Sequence, residues 1–300
     1  MNAQKLHDLI EMARSISPKK KVAVAVAEDD VVLKSIEEAV KLGVCEAILF
    51  GNEEKIKTIA EKEKVDLSIF EIRNFEDKMS AIKAAVKSIS DGECDLPMKG
   101  NSTTGELLSV FLKEEYGLRK KGTMNLLSVF EIPAYHKLLI MSDGGMVIDP
   151  SLEQKVDCIN NSVLMANKLG VKTPKVAIVA ALEKVNPKMP PTMDAAILTQ
   201  MNRRNQITGC IVDGPFAMDN AVSKEAAEHK GIVSDVAGDA DIIIMPDIEA
   251  GNVFYKSMVF LGNAKIASSI VGGKKPVVLT SRADSNEAKL FSIALSVLLA

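Results

Sequence analysis

Apolar and polar residues alternate along the first part of the chain in a pattern that predicts strands and helices in turn. The apolar run from Lys20 to Glu28 predicts a strand, residues 29–43 have helical spacing, and the run from Cys45 to Gly51 predicts a second strand. A repeated strand–helix–strand order is typical of a parallel sheet covered by helices on both faces, so we predict an α/β fold. The alternation continues with helices at residues 52–64, 76–90 and 105–117 and strands at residues 68–73 and 94–100.

The pattern changes after Gly122, where two strand-like runs follow each other without a helix between them. Residues 125–133 and 136–144 are rich in apolar residues and are joined by a short turn, which indicates a hairpin. From residue 151 onwards the alternation resumes and predicts a second α/β domain. Its predicted helices lie at residues 152–170, 192–204, 220–229 and 253–262, and its predicted strands at residues 175–183, 209–214, 241–247 and 267–272.

The composition favours a globular protein large enough for two domains. The chain has 300 residues, of which 47% are apolar and 26% charged, so two cores can be buried. The net charge of −3 lacks the basic excess of nucleic-acid-binding proteins, and no nucleic-acid partner is expected.

Neither end of the sequence predicts a membrane segment. Leu6, Leu9 and Ile10 lie at helical spacing among charged residues, which is typical of an amphipathic surface helix and not of a secretion signal. The apolar residues 291–300 are about half of the roughly 20 residues that span a bilayer, and they predict a buried helix. The four cysteines are scattered, so we expect reduced thiols without chemistry in a cytoplasmic protein.

A strand-to-helix corner at residues 277–289 carries the residues best suited to bind an anion. An apolar run ends there at Ser281 and Arg282, and a helical pattern follows directly. The free N–H groups at the start of a helix, together with a guanidinium, bind phosphate or carboxylate oxygens well. The corner therefore indicates chemistry on a charged oxygen.

A second corner, at residues 240–256, places Gly251 and Asn252 in a turn before a helix. Gly and Asn are also common in turns that bind nothing. Asp247 and Glu249 follow an apolar strand, however, and open α/β sheets bind ligands at such strand ends. We interpret Gly251 and Asn252 as substrate-binding residues in a wall of the active site.

The segment GNSTTGE, residues 100–106, has the glycine spacing of a phosphate-binding loop. Glu106 occupies the place of the lysine that nucleotide-hydrolysing proteins need. Ser102 and Thr103 allow two interpretations, since either hydroxyl can cap the following helix or bind phosphate or part of an acyl carrier.

Further segments give the chain its resemblance to a known family. Besides the two corners, these are VNPKMPPTMDAA at residues 185–196 and VDGPFAMDNAVS at residues 212–223, preceded by EIPAYHKLL and LEQKVDCINN. On these motifs the sequence resembles the phosphate acetyl/butyryltransferase family over nearly its whole length, and the butyryl branch more than the acetyl branch.

The resemblance implies two α/β domains with mostly parallel sheets and an interdomain active-site cleft, the architecture of the isocitrate and isopropylmalate dehydrogenases. In the family the chain ends by returning to the first domain. The implied domains are residues 1–130 plus 276–300 and residues 131–275.

The implied activity is reversible transfer of a short acyl group between coenzyme A and inorganic phosphate. Butanoyl is the expected acyl group and acetyl the alternative, with direct attack in a ternary complex and no acyl-enzyme. Acyl-CoA and phosphate are then substrates, no cofactor or metal is expected, and the family likeness suggests a homodimer or a higher homo-oligomer. The absence of metal agrees with the three histidines, which lie in unrelated segments.

The resemblance also implies roles for the first corner. Ser281 and Arg282 match the family's Ser-Arg pair, which gives them the roles of oxyanion donor and of a clamp on phosphate or carbonyl oxygens. The acetyl branch has an aspartate seven positions after the serine, whereas this chain has Ala288. Asp284 and Glu287 are the alternatives for a general base, although either carboxylate can simply favour the start of a helix.

Two other classes of protein share features with this pattern. A dehydrogenase of similar architecture would need a dinucleotide site and a carboxylate cluster for metal, and no GxGxxG motif is present. A regulator that binds acyl-CoA without catalysis would not release thiol when phosphate is added.

Overall fold

Helices and strands alternate in the computed structural model as the sequence predicts, and the α/β fold is confirmed. The structure describes residues 2–279 and 284–300. The helices are α1 (Asp8–Arg14), α2 (Asp30–Lys41), α3 (Glu53–Glu63), α4 (Lys78–Ser90), α5 (Thr104–Phe111), α6 (Leu152–Lys168), α7 (Pro190–Arg203), α8 (Met218–Val222), α9 (Lys224–His229), α10 (Ile248–Phe260) and α11 (Asn286–Leu299). The strands are β1 (Lys21–Ala25), β2 (Glu46–Gly51), β3 (Glu71–Asn74), β4 (Leu96–Lys99), β5 (Asn125–Glu131), β6 (Leu139–Ser142), β7 (Lys175–Val179), β8 (Ile211–Phe216), β9 (Ile242–Ile244), β10 (Lys265–Val271) and β11 (Val277–Val278).

The chain divides into two compact units. The terminal unit contains His7–Lys121 and Ala267–Ala300, and the central unit contains Met1–Leu6 and Gly122–Ile266. The sequence places the domain boundaries at 130/131 and 275/276, so the observed unit boundaries lie nine residues earlier in each case, at 121/122 and 266/267.

The sheet of the terminal unit has the strand order β3-β2-β1-β4-β11-β10. All neighbouring strands are parallel except β10, which runs antiparallel to β11. Val24 on β1 pairs with Met98 on β4, and Met98 pairs with Val278 on β11. The carboxyl ends of these three parallel strands therefore meet at one edge of the sheet.

The sheet of the central unit has the order β5-β6-β9-β7-β8. The predicted hairpin is the antiparallel pair β5 and β6, while β6, β9, β7 and β8 are parallel. The three isoleucines of β9 are fully buried, as expected for a strand covered on both faces.

The helices bury one apolar face each, and α2 shows how the sequence directs this. The Asp29 side chain accepts the N–H groups of Val31 and Val32 and caps the helix. Leu33 and Ile36 are both 0% exposed, and burying each side chain contributes about 1.5–3 kcal/mol. An Ile36→Ala change would remove part of this core and cost about 2–5 kcal/mol.

The last helix, α11, has more buried residues than any other helix in the described part of the chain, in agreement with the predicted buried terminal helix. It packs against α1 and α2, and its residues from Ala288 to Leu298 are all buried. The amphipathic helix predicted at the start of the chain is α1, whose Leu9, Ile10 and Ala13 form its buried face.

Some predicted elements have different bounds because local side-chain hydrogen bonds compete with them. Asp66 accepts the Ser68 N–H at 2.9 Å and starts a 3₁₀ turn at Leu67–Ile69, so β3 begins only at Glu71. The predicted helix at residues 220–229 is two helices, because the Ser223 hydroxyl caps α9 by accepting the Ala226 N–H.

The predicted turn with Gly251 and Asn252 is wrong, because α10 begins earlier than expected. The Asp247 carboxylate accepts the Ala250 N–H at 2.8 Å and caps the helix one residue before Ile248. Gly251 and Asn252 therefore lie within α10.

Within residues 2–279 and 284–300, no helix combines the length and the apolar character needed to cross a bilayer.

Candidate active site

The carboxyl edge formed by β1, β4 and β11 in the terminal unit leads to four of the eight predicted site residues. The segment that follows β4 contains Ser102 and Thr103, and the segment that follows β11 leads to Asp284 and Glu287. Ser281 and Arg282 lie outside the described residues.

The turn after β4 is pressed against the end of β1. The N–H groups of Gly100 and Asn101 donate to the carbonyl oxygens of Ala25 and Val26 at 2.9 and 2.7 Å. A Cβ atom added at Gly100 would lie 2.1 Å from the Val26 carbonyl oxygen. Glycine is therefore required for steric reasons, because the two backbones approach too closely for any side chain.

Ser102 and Thr103 have different roles in this turn. The Thr103 hydroxyl accepts the Glu106 N–H at 3.1 Å and the Glu106 carboxylate accepts the Thr103 N–H at 2.6 Å, which is a reciprocal cap of α5. The Ser102 side chain is buried, and its Oγ has no hydrogen-bond partner among the described residues. A buried hydroxyl without a partner costs free energy, and at the start of a helix it is suited to contact an anionic ligand.

Lys99 is a buried cation that the sequence analysis missed. Its Nζ donates to the carbonyl oxygens of Gly100 and Ser102 at 3.2 and 3.1 Å, and the residue is 9% exposed. The ammonium thus braces the turn that holds Ser102. The only sequence signal is its position at the end of an apolar strand.

Asp284 and Glu287 lie at the start of α11. Ser285 caps this helix by accepting the Ala288 N–H at 3.1 Å, and Glu287 is exposed in its first turn. An acidic residue there is favoured by the helix dipole, so its position has a structural explanation as well as the predicted catalytic one. Asp284 is half-buried.

Lys289 is a second buried lysine at this edge that the sequence analysis missed. It is 2% exposed, and its Nζ donates to the Asp284 carbonyl oxygen at 2.7 Å. Burial lowers the pKa of the Lys289 amine, while the carboxylates of Asp284, Asp29 and Asp30 oppose that shift.

Gly251 and Asn252, the remaining predicted residues, join α10 to the segment after β6 in the central unit. A Cβ atom added at Gly251 would lie 2.1 Å from the Asp143 carbonyl oxygen. The Asn252 amide donates to the Gly144 carbonyl oxygen at 3.1 Å. Both residues therefore fix the start of α10, and this role explains why a glycine and a short amide stand there.

Asp143 organises that segment of the central unit. Its carboxylate accepts the N–H groups of Gly145, Met146 and Leu126 at 2.6, 2.9 and 2.7 Å. Burial raises the pKa of Asp143, and these hydrogen bonds oppose the shift. All three donors are backbone N–H groups, two in the turn that follows Asp143 and one on β5, so we interpret Asp143 as a structural carboxylate.

The cysteines are unsuited to act as nucleophiles. Each is buried, and burial raises the pKa of Cys45 to about 12 and those of Cys158 and Cys210 to about 11. Such thiols are almost entirely protonated at neutral pH. In the part of the chain that the structure describes, His, Cys, Asp and Glu side chains form no group that could hold a metal ion.

Comparison with known proteins gives one consistent family. The model of a family described as phosphate acetyl/butaryl transferase matches residues 5–83 and 78–297. A phosphate acetyltransferase of Thermotoga maritima is 55% identical over 98% of this chain and 99% of its own length. A phosphate butyryltransferase of Clostridium acetobutylicum is 47% identical over 94% of this chain and 93% of its own length.

Solved structures agree in fold. A branched-chain phosphotransacylase from Enterococcus faecalis V583 superposes with a TM-score of 0.83 at 31% identity, over 93% of this chain and 98% of that one. A 4-hydroxythreonine-4-phosphate dehydrogenase from Klebsiella pneumoniae has a TM-score of 0.56 at 11% identity, over 93% of this chain and 98% of that one. This second likeness concerns the fold alone.

Proposed function

The chain belongs to the phosphate acetyl/butyryltransferase family and is a phosphate acyltransferase, and from that premise we propose that butanoyl-CoA is its acyl substrate. The reaction is butanoyl-CoA plus phosphate giving butanoyl phosphate plus coenzyme A, and it is reversible. The phosphate butyryltransferase of Clostridium acetobutylicum, similar over 94% of this chain, is the observation that supports this choice of acyl group.

The proposed chemistry is direct attack of one substrate on the other. A phosphate oxygen forms a bond to the thioester carbonyl carbon, and the carbonyl oxygen becomes an oxyanion. The oxyanion collapses, the carbon–sulfur bond breaks, and the leaving thiolate takes up a proton that balances the one lost by the attacking hydrogen phosphate. No protein nucleophile is needed, which fits the buried, protonated cysteines. Catalysis then consists of positioning two substrates and stabilising the oxyanion.

In this mechanism Ser281 and Arg282 donate hydrogen bonds to the oxyanion and to phosphate. Removing one such donor typically reduces the rate on the order of a hundredfold or more. In the reverse direction the coenzyme A thiol must lose a proton, and Asp284 or Glu287 would accept it. Asp284 lies just before α11, and Glu287 is in the first turn of that helix.

The Ser102 hydroxyl and the N-terminus of α5 are the proposed contacts for a phosphate group, either of inorganic phosphate or of coenzyme A. The buried Ser102 Oγ without a partner among the described residues supports this role, because a ligand oxygen would satisfy it. Thr103 would contribute through the helix start that it caps. Gly251 and Asn252 remain proposed substrate contacts in the central unit.

Acetyl-CoA is the second candidate substrate. It is favoured by the phosphate acetyltransferase of Thermotoga maritima, which is 55% identical to this chain. A difference of two methylene groups is worth about 1.6 kcal/mol of burial, so the pocket that accepts the acyl chain decides between the two substrates.

A thiol-release assay with acetyl-, propanoyl-, butanoyl-, isobutanoyl- and hexanoyl-CoA, with and without phosphate, tests the proposal. We expect phosphate-dependent release with the highest kcat/KM for butanoyl-CoA. A higher kcat/KM for acetyl-CoA would replace the butanoyl assignment. Release without phosphate, or none with any acyl-CoA, would overturn the mechanism, and an Arg282→Ala variant with wild-type turnover would remove Arg282 from it.

The exposed side of α10 supports the proposed homodimer. Gly251 is the only residue of this helix that is buried, and Val253, Phe260 and the following Leu261 are 65%, 61% and 83% exposed. Ile148, whose carbonyl oxygen accepts the Ile248 N–H at 2.9 Å, adds a side chain that is 67% exposed. These four apolar residues are what we call the α10 patch. Lys256 lies beside it, with its Nζ 5.9 Å from the centroid of the Phe260 ring.

A second copy of the chain is the partner that fits the α10 patch. A twofold axis brings the same surface of both copies together, and the exposed apolar side chains of both copies are then removed from water. One side of a helix of this length presents on the order of 350 Å², which can form the apolar centre of an interface of about 800 Å² per partner.

A further inference from the structure

We propose that three side chains, Thr199 and Asn202 of α7 and Asp213 of β8, occupy the outer edge of β8 and keep it from pairing with β8 of a second copy of the chain. Strand β8 ends the central sheet in the order β5-β6-β9-β7-β8, and among the described residues β7 is its only neighbouring strand. An open strand edge readily pairs with another chain. The inference concerns the backbone of this edge and does not depend on the proposed function.

The first observation is the match between the Asn202 amide and the groups that β8 turns outward. Ile211 donates its N–H to the Pro174 carbonyl oxygen, so the next residue, Val212, points its N–H away from β7. The Asn202 side-chain oxygen accepts that N–H at 3.0 Å, and its nitrogen donates to the Cys210 carbonyl oxygen at 3.0 Å. One residue of a parallel neighbouring strand would bind the same two groups. The Asn202 amide therefore takes the place of a pairing residue.

The second observation is that the next outward groups of β8 are occupied as well. The Gly214 N–H donates to the Asp213 carboxylate at 2.9 Å, and the Gly214 carbonyl oxygen accepts the Thr199 hydroxyl at 3.4 Å. Pro215 has no N–H with which to pair. Thr199 and Asn202 are three residues apart on α7, so they lie on one side of that helix. Because α7 packs against β8, that side covers the edge.

The third observation is that the space beside this edge is open. The Val233 side chain is 99% exposed and offers an apolar contact to a segment that enters this space. Hydrogen bonds from side chains, and not bulk, therefore close the edge. The space is a cavity of about 330 Å³, whose lining includes Asn202, Arg203, Val212, Asp213, Val233 and Asp235.

A second copy of the chain is the partner that an opened β8 fits. A twofold axis places the same strand of two copies side by side, and extended segments add to an exposed sheet edge through main-chain hydrogen bonds. The α10 patch is formed by other elements of the chain. Opening β8 therefore adds a second interface to the proposed homodimer, and the expected product is a larger assembly.

Asn202 makes one further hydrogen bond, which the test has to take into account. Its amide nitrogen also donates to the Ile207 carbonyl oxygen at 3.0 Å. Removal of the amide therefore loosens the chain between α7 and β8 in addition to opening the edge. A second substitution at the same position separates these two effects.

The test compares Asn202→Ala, which removes the amide, with Asn202→Lys, which removes the amide and puts a charge at the edge. A charged side chain on an edge strand opposes pairing. Gln200→Ala is the matched control, because Gln200 is an exposed residue of α7. For each full-length variant we would measure the molar mass by light scattering over a range of concentrations, the thermal unfolding midpoint, and hydrogen–deuterium exchange of the peptide covering residues 210–216.

We expect the mass of Asn202→Ala to rise with concentration to about twice that of wild type, while Asn202→Lys and Gln200→Ala keep the wild-type mass. Exchange of residues 210–216 should be faster than in wild type in both Asn202 variants when dilute, and it should slow at high concentration only in Asn202→Ala. A folded Asn202→Ala protein with the wild-type mass at every concentration would overturn the inference. Equal association of Asn202→Ala and Asn202→Lys would also overturn it, because both variants share the loss of stability.

A double variant keeps the inference testable if Asn202→Ala does not fold. Thr199→Val combined with Asp213→Ala opens both groups of Gly214 and leaves the Asn202 amide in place. A mass that rises above that of wild type, with slower exchange of residues 210–216 at high concentration, supports the closed edge, and the wild-type mass contradicts it. Neither measurement involves acyl transfer, so failure of the proposed function would leave this result unchanged.

Discussion

A Cβ atom at Gly100 would overlap the carbonyl oxygen of Val26, at a distance of 2.1 Å. The Cβ atom is fixed to the Gly100 backbone and the oxygen belongs to the Val26 backbone, so the two can separate only if the hydrogen bonds that join the turn after β4 to β1 break. We expect Gly100→Ala to destabilise the terminal unit by about 2–3 kcal/mol or more, measured by urea unfolding, and to reduce activity because the turn holds Ser102.

Gly105→Ala is the matched control for that prediction. Gly105 lies in α5, and an added Cβ atom there meets nothing within 4 Å. Alanine at this exposed helical position should stabilise the protein by about 0.5–1 kcal/mol. Equal effects of the two substitutions would contradict the close approach at Gly100.

The buried hydroxyl of Ser102 allows a prediction in which stability and substrate binding change in opposite directions. Ser102→Ala removes an Oγ that has no partner among the described residues, so the free energy of unfolding should stay the same or rise by up to about 1 kcal/mol. If the hydroxyl binds a phosphate group, the KM for phosphate or coenzyme A should rise about tenfold. Unchanged kinetics would remove Ser102 from the site.

The capping box of α5 predicts a pH effect on stability. The Thr103 N–H, followed by the Lys78 ammonium, lowers the pKa of Glu106 from 4.5 to about 2. Because the folded state holds this carboxylate ionised, its contribution is fully present above the unfolded pKa near 4.5 and is lost as the pH falls towards 2.

A Glu106→Gln variant tests that effect, since glutamine keeps the cap without the charge. We expect wild type to be more stable than the variant at about pH 6 and the two unfolding free energies to converge as the pH falls towards about 2. A difference that is independent of pH in guanidinium unfolding would show that the charge of Glu106 contributes nothing.

The α10 patch predicts that a single charge should separate a dimer. Wild type should have a molar mass of twice 32.3 kDa, or a higher multiple, in light scattering at micromolar concentration, and Phe260→Glu should lower that mass. Leu164→Glu is the control, because Leu164 is an exposed leucine on α6 of the same unit, 54% exposed. A wild-type monomer, or loss of mass in the control alone, would contradict the patch as the interface.

Most of the fold follows from patterns that are local in sequence. The buried runs of β1 and β9 and the apolar faces of α2 and α6 have the periodicity of their elements, and they appear close to their predicted places. The misplaced bounds have a different origin. At Asp66, Ser223 and Asp247 a side-chain hydrogen bond starts a turn or a helix. Other Ser, Asp and Asn residues nearby could cap a helix equally well, so the sequence alone does not show where the helix begins.

The candidate site was harder to predict than the fold. Sequence reasoning placed Ser102 and Thr103 at the start of a helix, where they lie, but it did not separate a capping hydroxyl from a free one. Lys99 and Lys289 were missed because their importance comes from burial against loops and helices distant in sequence. The Ser281 and Arg282 prediction lies outside the described residues and remains a prediction.

The assembly of the terminal unit from two separated stretches of chain has a consequence during synthesis. Residues 122–266 are continuous, so the central unit has all of its strands once the ribosome has passed residue 266. The terminal unit still lacks most of β10 and all of β11 and α11 at that moment, and the apolar surfaces of α1 and α2 that α11 covers stay open. The strands of the central unit are therefore all synthesised before the terminal unit is complete. A ribosome that stalls after residue 266 leaves a terminal unit with exposed apolar surface, which a chaperone would have to protect.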